Sequence, residues 1–247
     1  MRIIYEPRGA ALEYAPLAVS LYRGCSHGCT YCFAPDSTRT TKEKFMQPYG
    51  RKDALKLLEL DCKEMHNAGD QREVLMSFTT DPYQPLNNEL DLTREAIKLF
   101  AKYELNFSIL TKGGKRSERD FDWLTFPDVC GRYGTTLTLW NSLDELKWEP
   151  FSAWHGERLH ALKEAHRRGI PTWASIEPII DPGQSIYLIR ETLPYVDEYK
   201  IGKMNHLEST FPLEQLWSFV KETKELLDSY GKKYMFKDSM KAWEIHK

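Results

Sequence analysis

Short apolar runs alternate with amphipathic stretches almost from end to end of this 247-residue chain. That alternation restricts the fold more than any other feature of the sequence. Strands are expected at 17–21, 74–79, 107–112, 135–140, 171–177 and 199–204. Between them lie helical patterns. One at 53–65 sets Leu55, Leu58, Cys62 and Met65 on a single stripe, and one capped by Thr93 turns Ala96, Ile97 and Phe100 inward. Others are expected at 120–124, at 155–168 ahead of Gly169, at 185–193, and at 213–230 ahead of Gly231. Such repetition builds parallel strands with helices outside. Six strand–helix units predict an α/β fold: a partial (βα)6 TIM-like barrel open on one side, or a doubly wound open sheet. Nothing reads as a linker, repeat or low-complexity tract. One domain is therefore expected over 1–247, with its core at about 17–205 and a C-terminal helix and tail at 211–247.

The first strand leads into Gly24-Cys-Ser-His-Gly-Cys-Thr-Tyr-Cys-Phe33. Thiolates are soft ligands that suit iron, and Cys25, Cys29 and Cys32 supply three of the four ligands of a 4Fe–4S cube. One iron is left open to something that is not protein. Gly24 and Gly28 allow the curl that lets the sulfurs converge. Zinc held by the three thiols and His27 is the alternative, but structural zinc sites usually combine two separated ligand pairs, and no second Cys or His pair follows. A disulfide reading fails, because five cysteines is an odd number and the loop spacing is poor for pairing.

Composition narrows the class. With 41% hydrophobic and 28% charged residues, the chain can bury a substantial core, and a net charge of −2 exerts no global pull on nucleic acid, although a local basic groove stays open to it. No apolar run approaches the length of a bilayer span. No secretory leader is read, and free thiols point to a reducing cytoplasm.

In parallel barrels the chemistry gathers at the C-terminal ends of the strands. Those ends carry Thr79-Thr-Asp-Pro-Tyr-Gln-Pro85, Thr111-Lys-Gly-Gly114, Trp140-Asn-Ser142, Ser175-Ile-Glu-Pro178 and Lys200-Ile-Gly-Lys203. By alternation Ser108, Leu110 and Lys112 share one face of their strand, Ser175 and Glu177 point inward, and so does Lys200. Lys112, Lys115, Arg116 and Arg119 gather charge around Gly113 and Gly114, suiting a phosphate or, equally, a solvated loop.

The cysteine loop resembles that of radical S-adenosylmethionine (SAM) enzymes. Together with Thr80–Pro85, Leu92-Thr-Arg94, Leu110-Thr-Lys112 and Tyr199-Lys-Ile-Gly-Lys203, it resembles the spore photoproduct lyase-like branch over about 17–205. The resemblance favours the barrel over the doubly wound sheet. It implies a 4Fe–4S cluster on Cys25, Cys29 and Cys32 and SAM on the open iron, cleaved reductively to methionine and a 5′-deoxyadenosyl radical. It further implies that Thr79, Thr80 and Asp81 receive the SAM amino group and that Lys112 pairs with the SAM carboxylate. Asn141 and Ser142 would then meet the ribose, with Glu177 and Lys200 on the substrate side and Tyr83 as a hydrogen-atom relay. Each residue also has an ordinary reading: a turn at Thr79–Asp81, a solvated lysine at 112, a helix cap at Asn141–Ser142, a Lys200–Glu177 ion pair, and packing for Tyr83. The implied partners are a reductase, flavodoxin or ferredoxin as electron donor and a nucleic acid or nucleotide substrate, with no membrane. A peptide or small-metabolite substrate, or a non-catalytic iron–sulfur role, is the alternative. Phe78 occupies the position where the lyases carry their hydrogen-returning cysteine, so thymine-dimer repair is not expected. Cys62 and Cys130 both read as structural.

Overall fold

In the computed structural model, which describes residues 2–126, 129–204 and 211–243, the described strands are β1 (Ile4–Tyr5), β2 (Leu17–Val19), β3 (Tyr22–Arg23), β4 (Tyr49–Gly50) and β5 (Val74–Met76), then β6 (Phe107–Thr111), β7 (Gly131–Thr136), β8 (Thr172–Ile179), β9 (Glu198–Lys203) and β10 (Lys233–Phe236). β3 and β4 form a small antiparallel ribbon; the rest make one sheet in the order β1-β2-β5-β6-β7-β8-β9-β10. From β2 to β10 every pairing is parallel, and β1 is an antiparallel edge. The parallel strands are adjacent in chain order and never reverse. A doubly wound sheet reverses at its switch point, so this sheet is wound one way only.

Two layers of side chains show how far it rolls. One face packs on the helices: Phe107 and Ile109 of β6, Ala174 and Ile176 of β8, and Tyr199 and Ile201 of β9 all join the main core there. A smaller cluster fills the inside of the roll, where Ala18 of β2, Leu75 of β5 and Trp173 of β8 meet around Tyr14, with Leu110 and Phe78 alongside. Strands two and six places along the sheet share one interior only if the sheet curls. The segment before β2 spans the gap: the Lys200 ammonium donates to the Tyr14 carbonyl, and Lys237 lies 3.5 Å from Glu13. The result is an open barrel with helices outside.

Several expectations shift. The tail adds a seventh parallel strand, β10, because Tyr234 and Phe236 register against Tyr199 and Ile201. The fourth parallel strand runs at Gly131–Thr136, not at 135–140. Two glycines disguised it, and Gly134 is there because a Cβ would stand 2.2 Å from the Trp173 indole. Thr93 does not cap its helix (Leu92–Lys102). Asp91 holds the N-cap position instead, at φ 53° and with no side-chain capping bond, while Thr93 is buried and donates its hydroxyl to the Pro82 carbonyl at 2.6 Å. Cys62 is buried as expected, but Cys130 is exposed, since the chain reaches it before β7 enters the sheet. The expected core boundary at 205 falls outside the described residues.

Candidate active site

The C-terminal ends of the parallel strands open on a cavity of about 340 Å³. Cys25, Cys29, Cys32 and Tyr31 line one end; Tyr14, Ser175, Glu177, Lys203 and Lys237 line the other. Phe33, Phe78, Thr79, Thr80, Asp81 and Lys112 lie along its walls. Ser77, held at φ 69° just beyond β5, turns the chain so that Phe78, Thr79 and Thr80 reach this space.

The cysteine loop rests on a bed of backbone hydrogen bonds. Gly24 has φ 77°, and a Cβ there would lie 2.4 Å from the Phe45 carbonyl oxygen, which accepts the Cys25 amide at 2.8 Å. The Thr30 amide donates to the Trp148 carbonyl at 2.9 Å, and the Phe151 amide to that of His27 at 3.2 Å. Gln84, fully buried, clamps the loop from the other side: its Nε2 donates to the Gly24 carbonyl and its Oε1 accepts the Ser26 amide, each at 3.2 Å.

Asp81 ties three segments together. Its Oδ1 accepts the Tyr83 amide at 2.8 Å and the Thr111 hydroxyl at 2.6 Å, and its Oδ2 accepts the Lys112 amide at 2.7 Å. His27 Nδ1 stands 3.5 Å from the same Oδ2, while the Arg116 guanidinium donates to Nε2 at 3.2 Å. Burial drops His27 to about 4, so the ring is neutral near pH 7.

Beneath the loop lies a buried network that the sequence did not announce. Glu149 accepts from the Tyr31 hydroxyl and from Thr138 Oγ1 at 2.8 Å, forms an ion pair with the guanidinium of Arg158, and has Lys112 Nζ 3.9 Å away. Burial alone raises a carboxyl, but the charges of Arg158 and Lys112 outweigh it and hold Glu149 at about 2. Arg158 also donates to the carbonyls of Ala153 at 2.7 Å and Thr136 at 3.1 Å, locking the 149–153 segment to the end of β7. A buried glutamate within a Trp-Glu-Pro-Phe run and an arginine on a helix carry no signal that marks them as partners.

At the far end the Tyr14 hydroxyl donates to Glu177 and stands 2.8 Å from Ser175 Oγ. Glu177 takes Lys237 Nζ at 2.9 Å and 3.1 Å. The expected Lys200–Glu177 pair does not form, because Lys237 from beyond β10 arrives instead. Lys200 does not line the cavity: it sits behind Tyr14, with its ammonium 5.3 Å from the Trp173 ring, and burial pulls its pKa down.

Other expected site residues lie elsewhere. Asn141 and Ser142 are exposed and outside the cavity. Asn141 caps the helix Ser142–Trp148, accepting the amides of Leu143 at 2.9 Å and Asp144 at 3.3 Å. With β7 ending four residues early, Thr136 lines the cavity at that strand end. Tyr83 is in the core, away from the cavity, with its hydroxyl in the field of Asp120. The basic loop is tied up as well: Arg116 donates to the Tyr83 carbonyl at 2.8 Å, Arg119 to Asp91 at 2.6 Å, and Gly114 abuts the helix His155–Arg167. Arg94 braces the helix Leu92–Lys102 against Asp120 at 2.6 Å.

Residues 19–193 match the sequence pattern of the Radical SAM superfamily. The chain belongs to the radical SAM superfamily. An uncharacterized protein of Methanocaldococcus jannaschii is 28% identical over 213 residues, covering 80% of this chain and 77% of that protein. An uncharacterized protein of Mycobacterium tuberculosis is 34% identical over 114 residues, 43% of this chain and 32% of its own length. Spore photoproduct lyase complexed with dinucleoside spore photoproduct has a TM-score of 0.71 at 12% identity, over 94% of this chain and 79% of the lyase. Streptococcus suis SuiB bound to S-adenosylmethionine has a TM-score of 0.69 at 10% identity, over 89% of this chain and 49% of SuiB. The chain thus spans about half the length of SuiB, and at these identities both structures show the shared fold.

Radical SAM enzymes carry a 4Fe–4S cluster and SAM, and the cavity's donor set fits both. Three thiols lie along one end. Burial pushes Cys29 up to about 12 and raises Cys25 and Cys32, so these groups hold protons that a metal must displace. Among the described residues no three His, Cys, Asp or Glu side chains close on a point as ligands of one ion do. A cube, with irons at separate corners, does not ask for that. Beside the thiols the Thr80 hydroxyl is buried with no partner, and the Lys112 ammonium is nearly enclosed. These are a hydroxyl and a cation of the kind that an amino-acid ligand would meet. No helix among the described residues is long and apolar enough to cross a membrane.

Proposed function

We propose that this radical SAM enzyme abstracts a hydrogen atom from a nucleobase-containing substrate, within an isomerisation or modification reaction. Cys25, Cys29 and Cys32 hold the cluster, Thr79 and Thr80 receive the SAM amino group, and Lys112 pairs with its carboxylate. When bound, the reduced cluster supplies the electron that splits SAM into methionine and a hydrogen-abstracting 5′-deoxyadenosyl radical. Asp81 is a positioning residue: both its oxygens are occupied, and it fixes the backbone of Lys112. Glu149 holds Tyr31 in place and steadies the Lys112 charge.

The observation that carries this reading is that the three thiols, Thr79, Thr80 and Lys112 share one cavity with Tyr14, Ser175 and Glu177. The middle of that cavity is aromatic: Phe78 lies 5.8 Å from Tyr14 and 5.6 Å from Phe33, between ring centroids. Such a slot suits a flat base, with the hydrogen-bonded group of Ser175, Glu177 and Lys237 lining the same cavity beside its polar edge. The described lining holds no thiol besides the three of the loop, since Cys62 is in the core and Cys130 is exposed. The product hydrogen therefore comes back from 5′-deoxyadenosine, or the reaction ends by losing an electron or a fragment. A peptide is the second reading, favoured by the likeness to SuiB bound to its precursor peptide, at TM-score 0.68. Anaerobic turnover with deuterium-labelled thymidine-containing oligonucleotides tests the choice. Deuterium in 5′-deoxyadenosine supports the nucleobase reading; label transfer from peptides alone refutes it.

A further inference from the structure

Cations in this chain are unevenly partnered. Arg94, Arg119, Arg158 and Lys237 each meet a carboxylate. Arg8, Arg23, Arg39, Lys44 and Arg51 form no ion pair among the described residues, and they are gathered around two adjoining hollows. The first, about 390 Å³, takes Arg8, Arg23 and Arg51 with the hydroxyls of Ser20, Ser37 and Thr38. The second, about 330 Å³, takes Arg23, Arg39 and Lys44 with Thr38 and Thr40. No Asp lines either hollow, and no Glu. In a protein of net charge −2, five cations without a carboxylate partner among the described residues thus line two adjoining hollows that hold no acidic side chain.

The place matters as much as the charge. The first hollow shares Arg8, Ala11, Phe33, Phe78 and Thr79 with the active cavity, and the second shares Thr79 and Thr80. Arg51 is anchored by donating to the Ser20 carbonyl at 3.2 Å, and burial and then the nearby Arg23 charge hold it below its ordinary value. An anion between these two guanidinium groups relieves both. Tyr5 is 36% exposed on the rim of the first hollow and Tyr49 63% on that of the second, which gives rings on which bases stack.

We propose that the two hollows form a phosphodiester track, in which a single strand of nucleic acid lies along Arg8, Arg51, Arg23, Arg39 and Lys44 and turns one base past Phe33 and Phe78 into the cavity. The proposal rests on the nucleobase reading of that cavity. Concave cups lined by guanidinium groups and hydroxyls match tetrahedral phosphate oxygens, and a base reaches an enclosed site only when unstacked. An acidic protein needs a broader, flatter face than these cups offer.

Fluorescence anisotropy with a labelled thymidylate strand of about a dozen nucleotides, a length within the usual single-strand site range, tests this on the cluster-loaded full chain. Arg23→Glu, Arg39→Glu and Lys44→Glu should each weaken binding roughly tenfold and flatten the log K–log salt slope by about 0.7 for every phosphate left unneutralised. Lys163→Glu and Lys221→Glu, exposed positions outside both hollows, should change neither. Equal losses in the two controls, unchanged binding in the three reversals, or equally tight binding of polyglutamate overturns the track. Label transfer from the deuterated oligonucleotide to 5′-deoxyadenosine by the same wild-type preparation separates the two claims. Transfer with binding indifferent to the reversals removes the track and leaves the nucleobase reading standing; no transfer from any oligonucleotide removes the nucleobase reading itself.

Discussion

The two ends of the cavity are built in different ways. The cysteine end comes from one stretch of ten residues, 24–33, held by backbone hydrogen bonds and by Gln84, over a buried floor of Glu149 and Arg158. The far end comes from Tyr14, Ser175, Glu177 and Lys237, residues from three distant parts of the chain that meet only because the sheet rolls. The first end is a local device with its support built in. The second is a product of topology, adjustable one side chain at a time without disturbing the first. A superfamily with one initiating chemistry and many substrates is well served by that division.

Removing the sulfurs breaks the comparison most completely. Cys25→Ala, Cys29→Ala and Cys32→Ala should each leave the protein folded but unable to hold about four irons after anaerobic reconstitution, as read by iron and sulfide analysis. The far-end variant Glu177→Gln should load iron like the wild type. Iron loss in Glu177→Gln as well would mean that the two ends are one structural unit.

The floor comes next. Glu149→Ala leaves Arg158 buried without its carboxylate, which should cost about 3–5 kcal/mol and lower Tm by roughly 6–20 °C for a chain of this size. Thermal unfolding of the metal-free protein measures it. A loss below about 1 kcal/mol, within the range of exposed pairs, would show that the network carries little of the loop's support.

Lys112 sharpens the contrast in function. Lys112→Ala should retain iron and bind SAM at least roughly tenfold more weakly, the loss of one charge-assisted hydrogen bond at about 1.5–3 kcal/mol. Equilibrium binding of SAM to the loaded variant reads this directly, and wild-type affinity would remove Lys112 from the SAM site. The smallest effect belongs to a residue outside both ends. Asn141→Ala should cost about 1 kcal/mol of stability as a lost helix cap, with SAM affinity unchanged. Weaker SAM binding would return it to the cavity.

What the sequence disclosed follows the same division. The strand–helix alternation, the cysteine spacing and the inward set of Leu110, Lys112, Ser175 and Glu177 are local patterns, and the fold places them accordingly. β7 was misplaced because Gly131 and Gly134 look like breakers until Trp173 is seen filling the space beside Gly134. That slip put Asn141 and Ser142 at a strand end they do not occupy, where Thr136 stands instead. Glu149, Arg158, Tyr14 and Lys237 were invisible for another reason: each matters through a partner met only in the folded chain, and neither spacing nor composition records such pairings. Asp81 stands at the strand end where its type and position put it, but the three donors on its carboxylate, from Tyr83, Thr111 and Lys112, are contacts that only the folded chain displays.

The central claim is that the three thiols, Thr80 and Lys112 form one site in which SAM meets the open iron of a cluster. The most direct measurement is the EPR spectrum of the reduced, reconstituted protein with and without SAM. The account predicts a cluster signal whose shape shifts on adding SAM, with the shift requiring a higher SAM concentration in Lys112→Ala. A full complement of iron whose signal ignores saturating SAM would contradict it.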